Sequence, residues 1–397
     1  MSDKQSSGVA ADSDGQTSDG GPKLTRRSFI GRSAGVALAV GGLGSFISAC
    51  GTGGSGDGGE VVVLSWESYV TPEIKKAFEE ATGITMKGIP AESDQDMFTK
   101  IKAGGGGQYD VVFGNCGWSP IYAENDLIET IDVSEIPSSD QLFPVFREDD
   151  SLPYVESPGK LLMFPNMWAA LSLIWNTEAP YQPAKPLSWN ALWDAPSGKV
   201  VLHGSPEDFI AMSGLAMGVP RDEVYSMTGD TLDQAADHLG DLQPFQISKS
   251  SDDFTARTIA TQKAYVGFAS SLGIGHRVNE QFGKGKEIAK TAVPKEGSLG
   301  WVDGAHLVKD AKNRENAIKF IDFFNGNKQN QDYLWDTYFY SQCNQQSTER
   351  IIGRGGEDAT VAKSLGSDKP ETAQELVFQT QPDDPSAWAA AYDRVIG

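Results

Sequence analysis

Three short stretches of the 397-residue chain set an aromatic ring beside a polar or acidic group where a strand is expected to end. Trp66-Glu67-Ser68-Tyr69 closes the apolar run that begins at Glu60. Asn115-Cys116-Gly117-Trp118 follows the β-prone run Tyr109–Phe113 in the same manner. In Trp301-Val302-Asp303 the period-two alternation of a strand puts Trp301 and Asp303 on one face. A ring face attracts a cation through its quadrupole, and a carboxylate accepts charge-assisted hydrogen bonds from N–H groups. Side by side, the two suit an organic ammonium ion. Each stretch alone also fits core packing or a cap. Their recurrence at strand ends, where open α/β sheets bind ligands, is what points to a site.

Other chemistries lack their residues. No Gly-x-x-x-x-Gly-Lys-Ser/Thr loop or Gly-x-Gly-x-x-Gly fingerprint occurs, and Gly104–Gly107 is a glycine run without the following Lys-Ser. His203, His238, His276 and His306 show no metal-ligand spacing, and no Gly-x-Ser-x-Gly elbow is present. The expectation is a protein without catalytic residues, metal or cofactor. With 33 basic against 54 acidic residues, the net charge of −21 disfavours a phosphate backbone as partner and is compatible with a cationic ligand.

The elements that must position these residues begin after an export segment. Thr25-Arg26-Arg27-Ser28-Phe29 precedes an uncharged stretch, Ser33 to Ala49, too short and Gly-diluted for a membrane span. The arginine pair resembles a twin-arginine (Tat) signal, and Ile47-Ser48-Ala49-Cys50 resembles a lipobox in which Cys50 is acylated. This implies a lipid-anchored protein on the outer face of the cytoplasmic membrane or in the periplasm. The glycine-rich residues 51–59 read as a flexible tether.

Apolar content of 39% is ample for a core, and the length suits two or three domains or two lobes. Glu60–Trp66 reads as a buried parallel strand. The next helix is capped by Thr71, with Pro72 in its first turn, Ile74, Ala77, Phe78 and Ala81 on its core face, and Gly83 at its end. A second helix spans about 96–103, a strand 109–113, and a helix 119–124. The apolar segment 161–176 is a crossing between lobes. Ser188-Trp189 opens a capped turn, 199–202 is a strand, and Ser205-Pro206-Glu207-Asp208 opens a helix. Residues 265–270 and 300–308 are strands, and Asn313 caps a helix whose stripe is Ile318, Ile321 and Phe324. The βαβ rhythm argues for an α/β fold with parallel pairing.

In order along the chain, Ser65-Trp66-Glu67-Ser68-Tyr69-Val70, Glu80-Ala81-Thr82-Gly83-Ile84, Tyr109-Asp110-Val111-Val112, Ser188-Trp189 with Leu192-Trp193, Pro294-Lys295-Glu296-Gly297 and Trp301-Val302-Asp303 resemble the spermidine/putrescine-binding proteins of ABC transporters. The resemblance covers most of residues 60–397. It implies a type II-like periplasmic-binding-protein fold, with two α/β lobes, each a mixed sheet flanked by helices, closing on a ligand. The division it implies is 60–168 plus 302–347 for lobe 1 and 169–301 plus 348–397 for lobe 2, after a 1–50 signal. Trp66 and Tyr69 match the rings that pack on a polyamine, while Trp301 and Asp303 match the aromatic wall and main amine-binding carboxylate. Asp208 matches an acidic residue of lobe 2, and Gln379 or Gln381 a C-terminal glutamine.

Several positions depart from the family pattern. The loop acid stands at Glu67 rather than at Ser68, and Ser205 and Ser270 replace an acidic and an aromatic residue. Asn115 and Gly117 replace Ser and Tyr, with Trp118 a candidate for the missing ring. Cys116 and Cys343 either pair or stay as separate buried thiols. The expected function is a monomeric lipoprotein that binds putrescine or spermidine and hands it to a permease. The alternatives are a different small organic solute, an exported enzyme or a scaffolding lipoprotein.

Overall fold

The computed structural model describes residues 58–248 and 252–396. The arginine pair, the lipobox, Cys50 and nearly all of the tether lie outside them. The expected opening elements β1 (Glu60–Trp66), α1 (Pro72–Thr82), α2 (Asp94–Gly104) and β3 (Val111–Asn115) are present, with an additional strand, β2 (Thr85–Ala91), that the sequence reading did not foresee. Thr71 accepts a hydrogen bond from the Ile74 amide, and Gly83 stops α1 in the left-handed region at φ 71°. Ile74, Ala77 and Phe78 are buried as the helical period requires, whereas Ala81 faces solvent. The strand foreseen at 109–113 runs two residues further, which brings Asn115 into the sheet.

The 161–176 segment divides into β4 (Phe164–Ala170) and β5 (Ser172–Asn176), with Leu171 alone between them. After β5 come β6 (Val200–His203), α3 (Pro206–Met217), β7 (Gln246–Ser248), α4 (Asp252–Ala260), β8 (Val266–Ala269) and β9 (Ala289–Ala292). The chain returns through β10 (Leu299–Val308) to α5 (Arg314–Gly326), and short strands β11 (Ser341–Gln342) and β12 (Val377–Phe378) follow. Asn313 precedes α5 without a side-chain cap; its amide group donates to Asp110 instead. The buried stripe of α5 is Ala317, Phe320, Ile321 and Phe324, with Ile318 only partly covered.

Two mixed sheets result. The first runs β11-β4-β10-β3-β1-β2, with β1 parallel to both β2 and β3, and β10 antiparallel to β3 and β4. The second runs β7-β6-β8-β5-β9, parallel at β6 and antiparallel at β5. Helices supply the crossovers that parallel pairs need. The two passages between sheets lie side by side: the Leu171 amide donates to the Leu299 carbonyl, and Ser298 donates to Leu171. The fold is therefore the two-lobed architecture expected. The last helix, Pro385–Ile396, packs back on the second lobe, where the Trp388 indole donates to Met227.

The pairing of β10 with β4 shifts register between Asp303 and Gly304. Such bulges re-aim a side chain and tolerate little bulk. A Cβ on Gly304 would lie 2.2 Å from the Phe164 carbonyl oxygen. Gly304→Ala is therefore expected to cost roughly 1–3 kcal/mol by forcing backbone shifts. Urea unfolding of the two proteins measures it, and an unchanged midpoint would contradict the close approach.

Candidate ligand cleft

The cleft is built on β3 and β10, the middle of the first sheet, where Asn115 and Asp303 face each other as paired residues. Asp303 is only 8% exposed. Its single protein donor among the described residues is the Tyr69 hydroxyl, which reaches Oδ2 at 2.9 Å. Tyr69 is fixed in turn by Phe113 and Phe324, with ring centroids 4.7 and 6.1 Å away. The turn Glu67–Tyr69 after β1 thus delivers its tyrosine to the carboxylate on β10. Trp66 is half-buried at the same strand end, Ser68 is partly covered, and Glu67 points to solvent.

Three polar bridges tie the first sheet's residues to the second lobe. Asn115 Nδ2 donates to Gln379 Oε1 at 3.1 Å, and Gln379 Nε2 donates to Asp208 Oδ2 at 2.7 Å. The Trp301 indole donates to the Ser270 carbonyl at 2.8 Å. The Tyr340 hydroxyl donates to Asp252 Oδ2 at 3.0 Å, with its ring edge-on to Trp301 at 5.1 Å. Gly117 makes the first bridge possible, because a Cβ there would fall 1.9 Å from the Gln379 carbonyl oxygen. Asp208 is held at the start of α3 by a reciprocal capping box with Ser205, and Tyr225 donates to its Oδ1 at 2.7 Å.

The sequence-derived residues therefore divide by position. Tyr69 joins Asp303, Asn115 joins Gln379 and Asp208, and Trp301 joins Ser270, as three hydrogen-bonded groups. Trp118 instead packs in the core of the first lobe, its ring 5.8 Å from Phe98 and 6.2 Å from Tyr122. Ser270 donates its hydroxyl to Asp252 at 2.6 Å. Cys116 and Cys343 are separate buried thiols, and burial pushes the Cys116 thiol up to about 12. Sequence reasoning missed Asp94, Tyr225, Asp252 and Tyr340. Asp94 reads from sequence as an ordinary acidic residue at a helix start, and Tyr340 sits in no motif.

The electrostatics of the cleft are one-sided. Burial, reinforced by the charge of Asp94, raises Asp303 to about 7 against the opposing Tyr69 hydrogen bond. Burial also raises Asp94 to about 7, with Asp208 adding repulsion. Asp208 is raised by its own burial. The nearby cation, Arg277, is engaged by Asp252 at 3.1 Å and Asp253 at 2.6 Å. Among the described residues no group of His, Cys, Asp and Glu is arranged to hold a metal ion. What the arrangement can do is receive a cation that brings its own N–H donors, beside the Trp301 ring.

Known proteins place this geometry in context. The family profile described as bacterial extracellular solute-binding protein matches residues 73–361. The spermidine/putrescine-binding periplasmic protein of Escherichia coli K12 is 26% identical over 296 residues, covering 72% of this chain and 77% of that protein. The Tp0655 (TpPotD) lipoprotein of Treponema pallidum superposes with a TM-score of 0.66 at 20% identity, covering 85% of this chain and 99% of the other. The binding protein MotA of A. tumefaciens B6, solved with glucopine, superposes at 0.61 and 19% identity, covering 85% and 99%.

A raised carboxyl pKa has a definite sign for stability. Between about pH 4 and 7 the folded state holds a proton at Asp303 that the unfolded chain has released, so ionisation there works against folding. The stability of Asp303→Asn relative to the wild-type protein is expected to grow as pH rises through that window and to level above it. Urea midpoints of both proteins from pH 4 to 8 test this, and a difference independent of pH would refute it.

Proposed function

The chain belongs to the bacterial extracellular solute-binding protein family, and from that premise we propose that it binds a polyamine in the interlobe cleft as a monomer and delivers it to the permease of an ABC importer. Its role is then to hold a solute outside the cytoplasm rather than to turn one over. The observation that carries the polyamine reading is Asp303: a nearly buried carboxylate with one neutral donor, Tyr69, and an aromatic wall, Trp301, on its own strand. A desolvated charge of this kind is costly unless a cation pairs with it. Trp66 and Trp301 would cover the methylenes, and Asp303 would take an ammonium group. The E. coli relative carries spermidine and putrescine in its name, which agrees with this reading.

Closure follows from the same residues. The bonds Gln379–Asp208, Trp301–Ser270 and Tyr340–Asp252 run between the first sheet's side and the second lobe. A ligand that neutralises the cleft removes repulsion among its carboxylates and so shifts the population toward the joined state. Export then runs through the twin-arginine signal and anchoring through acylation of Cys50, both outside the described residues. Cys50→Ala is expected to move the protein from the membrane to the soluble fraction on fractionation; unchanged membrane retention would count against the anchor.

A second reading keeps the fold and changes the solute. Asp208 already accepts from Tyr225, Ser205 and Gln379, and Ser270 is spent on Asp252. The second lobe therefore offers less to a second ammonium than an open acid would, and the glucopine complex of MotA shows the fold holding another class of solute.

Thermal shift with putrescine, spermidine, spermine and uncharged solutes separates the two. A ligand at 100 times its Kd stabilises by about 2.7 kcal/mol, and Asp303→Asn is expected to weaken amine binding at least tenfold. A shift with an uncharged solute and with no amine would replace the polyamine reading by the second one.

A further inference from the structure

We propose that Gln379 makes ligand recognition one-ended: its side chain holds Asp208 in place of a second ammonium, so the cleft grips a single ammonium, at Asp303, and leaves the far end of the solute ungripped. The inference rests on the polyamine reading of the cleft and narrows it, because it names which end of an amine the protein reads.

The position of Gln379 is set by its backbone. The short strand β12 pairs with β10 at Leu299 and Gly300, and the Gln379 amide continues that contact by donating to the Gly300 carbonyl at 2.9 Å. Two glycines let the segment sit this close. A Cβ on Gly300 would stand 2.5 Å from Leu376 Cδ1, and one on Gly117 would stand 1.9 Å from the Gln379 carbonyl oxygen. A side chain at either place would push the segment away from the sheet.

From that anchor the side-chain amide spans the cleft. Its Oε1 accepts from Asn115 Nδ2 at 3.1 Å, and its Nε2 donates to Asp208 Oδ2 at 2.7 Å. Asn115 pairs with Asp303 across β3 and β10, so the amide starts beside one acid of the cleft and ends on the other. The N–H that Gln379 gives Asp208 is what a ligand ammonium would otherwise supply.

The two acids are alike in burial and unlike in occupancy. Asp208 is 4% exposed and Asp303 8%. Tyr225 donates to Asp208 Oδ1 at 2.7 Å, and the Ser205 amide joins Gln379 on Oδ2 at 3.2 Å. Burial raises the Asp208 carboxyl, and the bonds from Tyr225, Ser205 and Gln379 oppose that rise. Asp303 accepts from Tyr69 alone among the described residues. A second ammonium can reach Asp208 only by breaking a hydrogen bond to a charged acceptor and stranding the Gln379 amide. Asp303 asks for no such exchange.

The test titrates the full-length protein and its Gln379→Ala and Gln379→Met variants calorimetrically with putrescine and n-pentylamine, which share chain length and differ in the charge of one end. Met keeps the length of the side chain and removes its donor and acceptor, so the comparison does not rest on the Ala variant alone. The wild-type protein is expected to prefer putrescine by less than about tenfold, and each variant to raise that preference by about tenfold or more. A wild-type preference of about a hundredfold, or a preference that both variants leave unchanged, would overturn the one-ended grip and leave the polyamine reading standing. Absence of binding by both amines to the wild-type protein would bring down this inference together with that reading.

Discussion

The constraint on which the cleft turns is the desolvation of Asp303. A carboxylate taken almost wholly out of water, with one neutral hydroxyl as its donor, stays charged only if something positive approaches. The surrounding protein withholds that charge. Arg277 is committed to Asp252 and Asp253, and among the described residues the groups felt by Asp303 are the Asp94 carboxylate and the Tyr69 hydroxyl. Under the polyamine reading, a cationic ligand is what relieves the repulsion among these acids. On that reading, recognition and lobe closure would share one cause, because Asp303 and Asp208 lie on elements of different lobes.

The scaffold serves that constraint in detail. β10 runs through the centre of the first sheet, where both neighbours fix it, and its bulge at Gly304 sits directly beside the key acid. The missing side chains at Gly114, Gly117 and Gly304 each coincide with a close approach: a carboxylate, the Gln379 carbonyl and the Phe164 carbonyl. These glycines act through volume at a site where three chain segments converge. The paired passages at Leu171 and Ser298–Leu299 leave a narrow connection between the sheets. Short extended connections of this kind permit a hinge motion without unravelling either sheet.

Much of this was legible in the amino-acid order. Hydrophobic runs, caps and glycine stops located the opening βαβ unit, the capped helix at Ser205 and the long strand at Trp301 within a residue or two. The alternation of Trp301 and Asp303, and the ring-rich turn after β1, pointed at the right strand ends. Trp118 shows the limit of such reading. Its place next to a strand end suggested a cleft ring, yet the helix at Ser119–Glu124 turns it toward Phe98 and Tyr122 in the core. Ala81 and Asn313 failed in the same way: a periodic position or a residue type states a preference, and the neighbour that packs there decides the outcome.

By itself the sequence determined the α/β class, the element order, the acidic character and the aromatic-carboxylate pairs, because period, capping and charge are local or additive properties, while the two lobes came from the family resemblance. Only the tertiary structure decided which acids remain available. Asp208 looked like a ligand residue and already accepts from Tyr225, Ser205 and Gln379, whereas Asp303 accepts from Tyr69 alone among the described residues. Tyr340, Asp252 and Gln379 joined the network from segments 88 to 264 residues away from their partners. Hydrogen-bond saturation and desolvation depend on what folds against a group, and no spacing along the chain encodes them.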